Sequence, residues 1–216
     1  MLRAADGSLS SLVFEGAAEL LAQEPRPAVL AIDVPIGATE SGPRRCDVEA
    51  RALLGRRAST VFTAPVRPVL AAASWDEACA IRERIEGRRM SRQAWGIVPK
   101  VAEVDRALRR NPGRDGWIRE VHPEVSFATW NGSPMRHRKK GIEGRTERME
   151  LVASYFGSPA FAGVRARHRA GDVAAADILD AFAALWTAER IARGEAATLP
   201  AEPPTDRFGL RMEIVY

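Results

Sequence analysis

Apolar positions recur along this chain in two rhythms, an unbroken run suited to a buried strand and a three-to-four spacing suited to helices. The run Ala28-Val29-Leu30-Ala31-Ile32 ends on Asp33, the pattern of a short strand covered on both faces. Val34-Pro35-Ile36-Gly37 follows, and because Pro35 has no N–H the chain must turn just after Asp33. Upstream, Asp6-Gly7 precedes residues 9–14 and predicts a hairpin over 2–14. Residues 15–23 carry alanine and leucine at helical spacing and stop before Pro25 and Pro27. Helical patterns fill most of 43–111: one over 45–56, one opened by Ser74 and Glu77 as a capping box, and one from Ser91 onward, broken near Pro99. Residues 117–121 read as a strand leading into His122-Pro123-Glu124. Met149, Val152 and Phe156 stripe a helix over 146–156, and Ile178, Phe182, Leu185 and Trp186 stripe a last long helix over 173–192. Residues 212–216 predict an edge strand. The expected fold is therefore an α/β single domain, 1–216, with a helical insert over about 43–111.

A length of 216 residues with 46% hydrophobic side chains is enough for one core and does not demand a second. No apolar run approaches the roughly 18 residues that span a bilayer, and no basic-then-apolar secretion signal opens the chain. A cytoplasmic protein with no membrane association is expected. Cys46 and Cys79 stand apart, without CxxC spacing or paired histidines, and read as ordinary thiols. The net charge is +4 and the basic side chains are nearly all arginine, the lysines being Lys100, Lys139 and Lys140. That balance suits a phosphate-rich partner, although an Arg- and Ala-heavy composition explains it equally well. Homo-oligomerisation is compatible with the sequence but not encoded in any visible pattern.

Candidate chemistry begins with Asp33, because a carboxylate at the C-terminal end of a buried strand stands where α/β sheets gather ligand sites. It is costly there unless it caps the turn through backbone N–H groups, pairs, or binds a cation. Glu120, His122 and Glu124 alternate along a segment read as extended, which would put all three on one face, able to hold a cation through the carboxylates and move a proton through the imidazole. Asp177 and Asp180 share a helical face; they repel each other there, a repulsion that a helix start softens and a bound cation would remove. Arg44, Arg51 and Arg67 in the insert, and Arg136, Arg138, Lys139, Lys140 and Arg145 in and beyond a Gly- and Pro-flanked loop, are the candidates for a nucleic-acid backbone. Trp95, Trp130 and Trp186 read as core.

The ordered motifs Ala31-Ile32-Asp33-Val34-Pro35-Ile36-Gly37, Arg45-Cys46-Asp47, Val61-Phe62 with Ala64-Pro65, Gln93-Ala94-Trp95, Glu120-Val121-His122-Pro123-Glu124-Val125-Ser126-Phe127, Lys139-Lys140 and 177–181 resemble the DUF429 family, proteins predicted to be RNase H-like nucleases, over about residues 9–193. The resemblance implies a five-stranded mixed sheet with flanking helices, and carboxylates from a first strand, a central strand end and a late helix converging on Mg²⁺ or Mn²⁺. By that resemblance Asp33 is the central-strand carboxylate. The Asp180-Ala181 step looks like the final aspartate of RuvC-type resolvases, with Asp177 the competing choice, while Glu120 and Glu124 have no agreed counterpart. The metal set implied is Asp33, Glu120 and Asp180. Family members begin with a strand carrying Asp-Gly, whereas this sequence opens at Met1-Leu2-Arg3, so the first strand and its aspartate are expected to be missing; Asp6 belongs to a turn and does not replace it.

The function implied is metal-dependent hydrolysis of phosphodiester bonds, with nucleic acid as partner. A non-catalytic nucleic-acid- or protein-binding module on the same scaffold is the alternative. A phosphotransferase is a third reading, opposed by the lack of a glycine-rich phosphate loop.

Overall fold

A computed structural model describes residues 1–110 and 116–216. The expected end of the insert at Asn111 falls outside them. The elements run β1 (Leu2–Arg3), β2 (Leu9–Ser10), α1 (Ala17–Leu21), β3 (Leu30–Ile32), α2 (Arg45–Leu54), α3 (Trp75–Glu86), α4 (Arg92–Trp95), α5 (Val98–Arg110), β4 (Ile118–Glu120), α6 (Pro123–Trp130), α7 (Ile142–Phe156), α8 (Ala160–Arg165), α9 (Ala175–Ala192), β5 (Thr198–Leu199) and β6 (Ile214–Val215). The mixed α/β class is as the sequence predicts, with short strands and many helices.

The strands form a stepped array rather than one broad sheet. β3 pairs with β4 in parallel, Ile32 opposite Glu120. Val121 bridges Val215 in parallel, so β4 is continued by β6, which pairs antiparallel with β5. The β1–β2 hairpin closes through Asp6-Gly7 as its sequence predicts, but only Leu2–Arg3 and Leu9–Ser10 pair. Among the described residues β3 has a strand neighbour on one edge only. Its other edge faces a cleft of about 800 Å³ whose far wall is β1 and whose side is α9.

Helix boundaries follow local chemistry. Ser74 accepts from the Glu77 N–H at 3.2 Å and so caps α3, while Glu77 accepts from the Ala73 N–H at 2.9 Å. Gly87, at φ 68°, ends that helix in the left-handed conformation. The break expected near Pro99 falls just before it, between α4 and α5, because proline is tolerated in the first turn of a helix and not in its interior. Residues 45–56 were expected as one helix; the chain tightens instead into a 3-10 turn over Gly55–Thr60.

Four apolar clusters hold these pieces. Phe127, Val152, Ile178, Leu179 and Phe182 join α6, α7 and α9; of the stripe predicted for the last helix Ile178, Phe182 and Trp186 are buried, whereas Leu185 turns to the cleft. Trp130 stacks on both Phe127 and Trp186 at centroid distances of 5.9 and 5.0 Å, consistent with a packing role for these tryptophans. Cys46, Ala50 and Leu54 of α2 pack on Val125, Met212 and Ile214. Ile32 and Ile118 meet Val104 and Leu108 of α5, and the insert carries a small core of its own around Val69, Cys79 and Val98. Both cysteines are buried and free.

Phe182 has no exposed surface and sits where α7 and α9 meet. Phe182→Ala should cost about 3–5 kcal/mol, read from urea unfolding followed by tryptophan fluorescence; a loss well under 1 kcal/mol would show that the cluster can collapse around the change.

Candidate functional site

Three residues expected on one face are separated by a proline. Glu120 closes β4, but His122 is the N-cap of α6 and Pro123 its first residue, a position where proline's missing N–H costs nothing. The period-2 geometry therefore ends at Val121, and the shared face of Glu120, His122 and Glu124 does not form. Glu120 is buried and receives two hydrogen bonds from Arg44, each 2.7 Å, and one from the Ile36 N–H at 2.6 Å. Arg44 also grips Asp47 at 2.6 Å and the Ile36 carbonyl at 3.0 Å. Although burial opposes its charge, Glu120 and Asp47 hold the guanidinium protonated well above the ordinary arginine value. Glu124 is bound by Arg148 at 2.6 Å and by Arg57 at 3.5 Å. Both glutamates are thus committed to buried ion pairs.

The nucleic-acid candidates divide in the same way. Arg44 and Arg67 are 1% and 5% exposed, which corrects the expectation that they line a nucleic-acid surface. Arg67 pairs with Asp105 at 2.9 Å and with Asp206, because carboxylates distant in sequence are brought against it and a buried guanidinium requires them. Arg51 is exposed but spends Nη1 on the carbonyls of Ala58 and Val61. Arg136, Arg138, Lys140 and Arg145 are exposed. The loop carrying the first three lies close against α7, since a Cβ on Gly144 would collide with the Arg138 carbonyl.

Asp33, Asp177 and Asp180 all line the cleft between β3, β1 and α9. Asp177 accepts from the Ala174 N–H at 3.2 Å and so serves the start of α9. Asp180 differs: Oδ2 takes a 2.7 Å bond from Lys139 Nζ, and Oδ1 is buried without a hydrogen-bond partner. Asp33 makes no hydrogen bond or ion pair with any described residue, so it does not cap the turn that follows it. That turn is held by other groups, Glu120 on the Ile36 N–H and Arg44 on the Ile36 carbonyl, and it needs Gly37, whose φ is 73° and where a Cβ would press on Met212.

The electrostatics mark Asp33 and Asp180 as one cluster. Asp33 keeps solvent access through the cleft mouth, yet loss of hydration on the surrounding protein, then the charge of Asp180, push its carboxyl up to about 7 against the pull of Lys139 and Lys100. Burial also raises Asp180, opposed by Lys139 and reinforced by Glu124 and Asp177. Lys139 is partly desolvated, but Asp180, Asp33 and Glu124 hold it above the usual lysine value. His122 is pushed down by desolvation and is neutral at pH 7. Its Nε2 lies 3.3 Å from the Thr60 carbonyl, which can only accept, so the proton sits there and Nδ1 keeps a lone pair with no partner.

Two carboxylates with unused oxygens fit Mg²⁺, which is commonly held by one or two carboxylates with water and substrate phosphate completing its shell. Asp33 and Asp180 are the residues that would hold it. No group of three or more acidic, histidine or cysteine side chains disposed for a metal occurs among the described residues, and Glu120, turned to Arg44, stands apart from the pair. Arg148, buried and bound to Glu124, was not singled out in the sequence; its 3.6-residue register with Val152 on α7 was the available signal.

A family model described as "Protein of unknown function (DUF429)" matches residues 1–205. No curated protein and no solved structure matches the chain.

Two outcomes follow from this geometry. The folded Asp33 carboxyl keeps its proton up to about pH 7, whereas an unfolded one loses it near 3.9; the folded state binds more protons between those values, and stability falls as pH rises through that window. Asp33→Asn removes the effect, so its Tm should gain on the parent protein from about pH 4 to pH 8 by thermal denaturation, and a difference independent of pH would refute the assignment. Glu120→Gln leaves the buried Arg44 guanidinium with Asp47 as its carboxylate partner and should cost about 1–3 kcal/mol in urea unfolding.

Proposed function

The chain belongs to the DUF429 family, and on that premise we propose that it is a metal-dependent nuclease of RNase H-like architecture, with Asp33 and Asp180 as the cation-binding pair. The observation carrying this reading is that these two carboxylates, from a strand end and a distant helix, line one cleft, Asp180 with a buried oxygen that no described donor satisfies and the solvent-accessible Asp33 with no hydrogen-bond partner among the described residues. Native folds rarely leave a buried oxygen such as Asp180 Oδ1 unpaired without a use.

Bound Mg²⁺ or Mn²⁺ would polarise phosphoryl oxygens and favour ionisation of an attacking water. The chain's own residues supply the rest. Asp33 and Asp180 would hold the cation. His122, neutral and within electrostatic reach of Asp180, carries a buried Nδ1 lone pair able to take a proton. Lys139 and the exposed Arg136, Arg138, Lys140 and Arg145 offer a basic border to a phosphodiester backbone, binding it through charge rather than base identity.

A non-catalytic module is the second reading, favoured by the lack of a three-ligand cluster among the described residues. It predicts salt-sensitive nucleic-acid binding that needs no Mg²⁺ and tolerates Asp33→Asn.

Labelled single-stranded, duplex, hybrid and junction substrates incubated with Mg²⁺ or Mn²⁺ separate the two. The nuclease reading expects cleavage abolished by chelation, and losses in Asp33→Asn and Asp180→Asn beyond the ~100-fold that removal of an outer-shell metal partner costs. Metal-independent binding with no cleavage of any substrate, unchanged in both variants, would replace it with the second reading.

A further inference from the structure

Among the described residues Lys139 is the cation bonded to Asp180, and its surroundings are unlike those of the other surface ion pairs. Its Nζ reaches Asp180 Oδ2 at 2.7 Å while the side chain stays 40% exposed. Asp180 Oδ1, on the same carboxylate, is buried and unbonded, and Asp33 lies close enough to act on Lys139 by charge without a hydrogen bond to it. An ammonium is a compact point charge on a flexible stem. It can neutralise part of a cation seat but cannot satisfy both carboxylates, and it can leave.

The loop around it is built for such a departure. Arg138 and Lys140 flank it on the exposed surface, while the backbone is anchored: the Gly141 N–H bonds the Arg138 carbonyl at 2.9 Å, the His137 N–H bonds Glu147 at 3.1 Å, and Arg148, buried against Glu124, reaches the His137 carbonyl at 3.5 Å. A fixed backbone with a free lysine head allows the ammonium to swing from Asp180 toward a phosphate lying along the basic border, with no rearrangement of the fold.

We propose that Lys139 is a resident counter-ion of the Asp33–Asp180 seat, which a divalent cation must displace, and that a nucleic-acid backbone helps by taking the lysine onto its phosphate. Metal and polyanion therefore bind with positive coupling, each favouring the state in which Lys139 has left Asp180. This rests on the reading of Asp33 and Asp180 as a cation seat. It makes Lys139 a positioning residue whose role is to keep the empty protein from holding metal tightly.

Mn²⁺ binding, read by the loss of the free-ion EPR signal, tests both claims without any turnover. The parent protein, Lys139→Met, Lys139→Gln and Asp180→Asn are titrated alone and with a phosphorothioate oligonucleotide that resists cleavage. The expected results are weak Mn²⁺ affinity for the parent protein alone, tightened by the oligonucleotide within the ~5–150-fold range of site-to-site coupling. Lys139→Met and Lys139→Gln should bind Mn²⁺ about 10-fold or more tighter without oligonucleotide and show little further tightening with it. Asp180→Asn should lose the site. If both Lys139 variants bind Mn²⁺ as the parent protein does while Asp180→Asn loses it, the seat stands and the counter-ion role is overturned. If no protein binds Mn²⁺ with or without oligonucleotide, the seat itself fails and the counter-ion role with it.

Discussion

The buried grip of Arg44 on Glu120 and Asp47 is the interaction on which the placement of the site depends. Through it α2, β4 and the turn after β3 share one set of charges: Arg44 meets Glu120, Asp47 and the Ile36 carbonyl, Glu120 receives the Ile36 N–H, and Asp47 receives the Ala64 N–H at 2.9 Å. Burying such a group brings little net stability compared with an apolar core of equal volume, but once it is present every partner must stay. The constraint is therefore geometric. It fixes the turn that follows Asp33, and so the direction in which Asp33 leaves its strand.

Two further arginines repeat the device around the same centre. Within the insert Arg67 ties the stretch between α2 and α3 to α5, and it reaches Asp206 near the C-terminal strand, while Arg148 ties α7 to the start of α6 through Glu124. The second tie seats the loop bearing Lys139, because Arg148 also holds the Gly144 and His137 carbonyls. The frame around the cleft is thus ionic as much as apolar. Asp33 and Asp180 stand out inside it as carboxylates whose needs the frame does not meet: among the described residues Asp33 has no bonded partner and Asp180 has Lys139. Elsewhere on the same helix Asp177 is accounted for by its bond to the start of α9, which separates two aspartates that the sequence presents as near equivalents.

What the sequence by itself determined were features whose causes are local. The apolar run before Asp33 forms a strand, although only Ile32 of it is buried and the rest lines the cleft because one edge of β3 has no strand neighbour among the described residues; the stripe of Ile178, Phe182 and Trp186 marked the inner face of a helix, and Ser74 with Glu77 a helix start. Asp33 itself was legible because an unbroken apolar strand that ends in a carboxylate is a contradiction within a few residues. His122-Pro123-Glu124 was readable in the same local way, as a helix start with proline in its first turn and an acidic residue beside the positive helix end, but the alternation of polar residues obscured it.

Tertiary structure alone decided which charges are used up. Arg44 and Arg51 look alike as residues of an arginine-rich stretch, yet one is buried on a glutamate 76 positions away and the other is exposed. Whether a guanidinium can leave water depends on carboxylates that the fold delivers from elsewhere, and no pattern of spacing along the chain carries that information. The same holds for Lys139 and Asp180, 41 positions apart: each was a separate candidate in the sequence, and only the packing of α9 against β3, with the basic loop laid against α7, made them a pair.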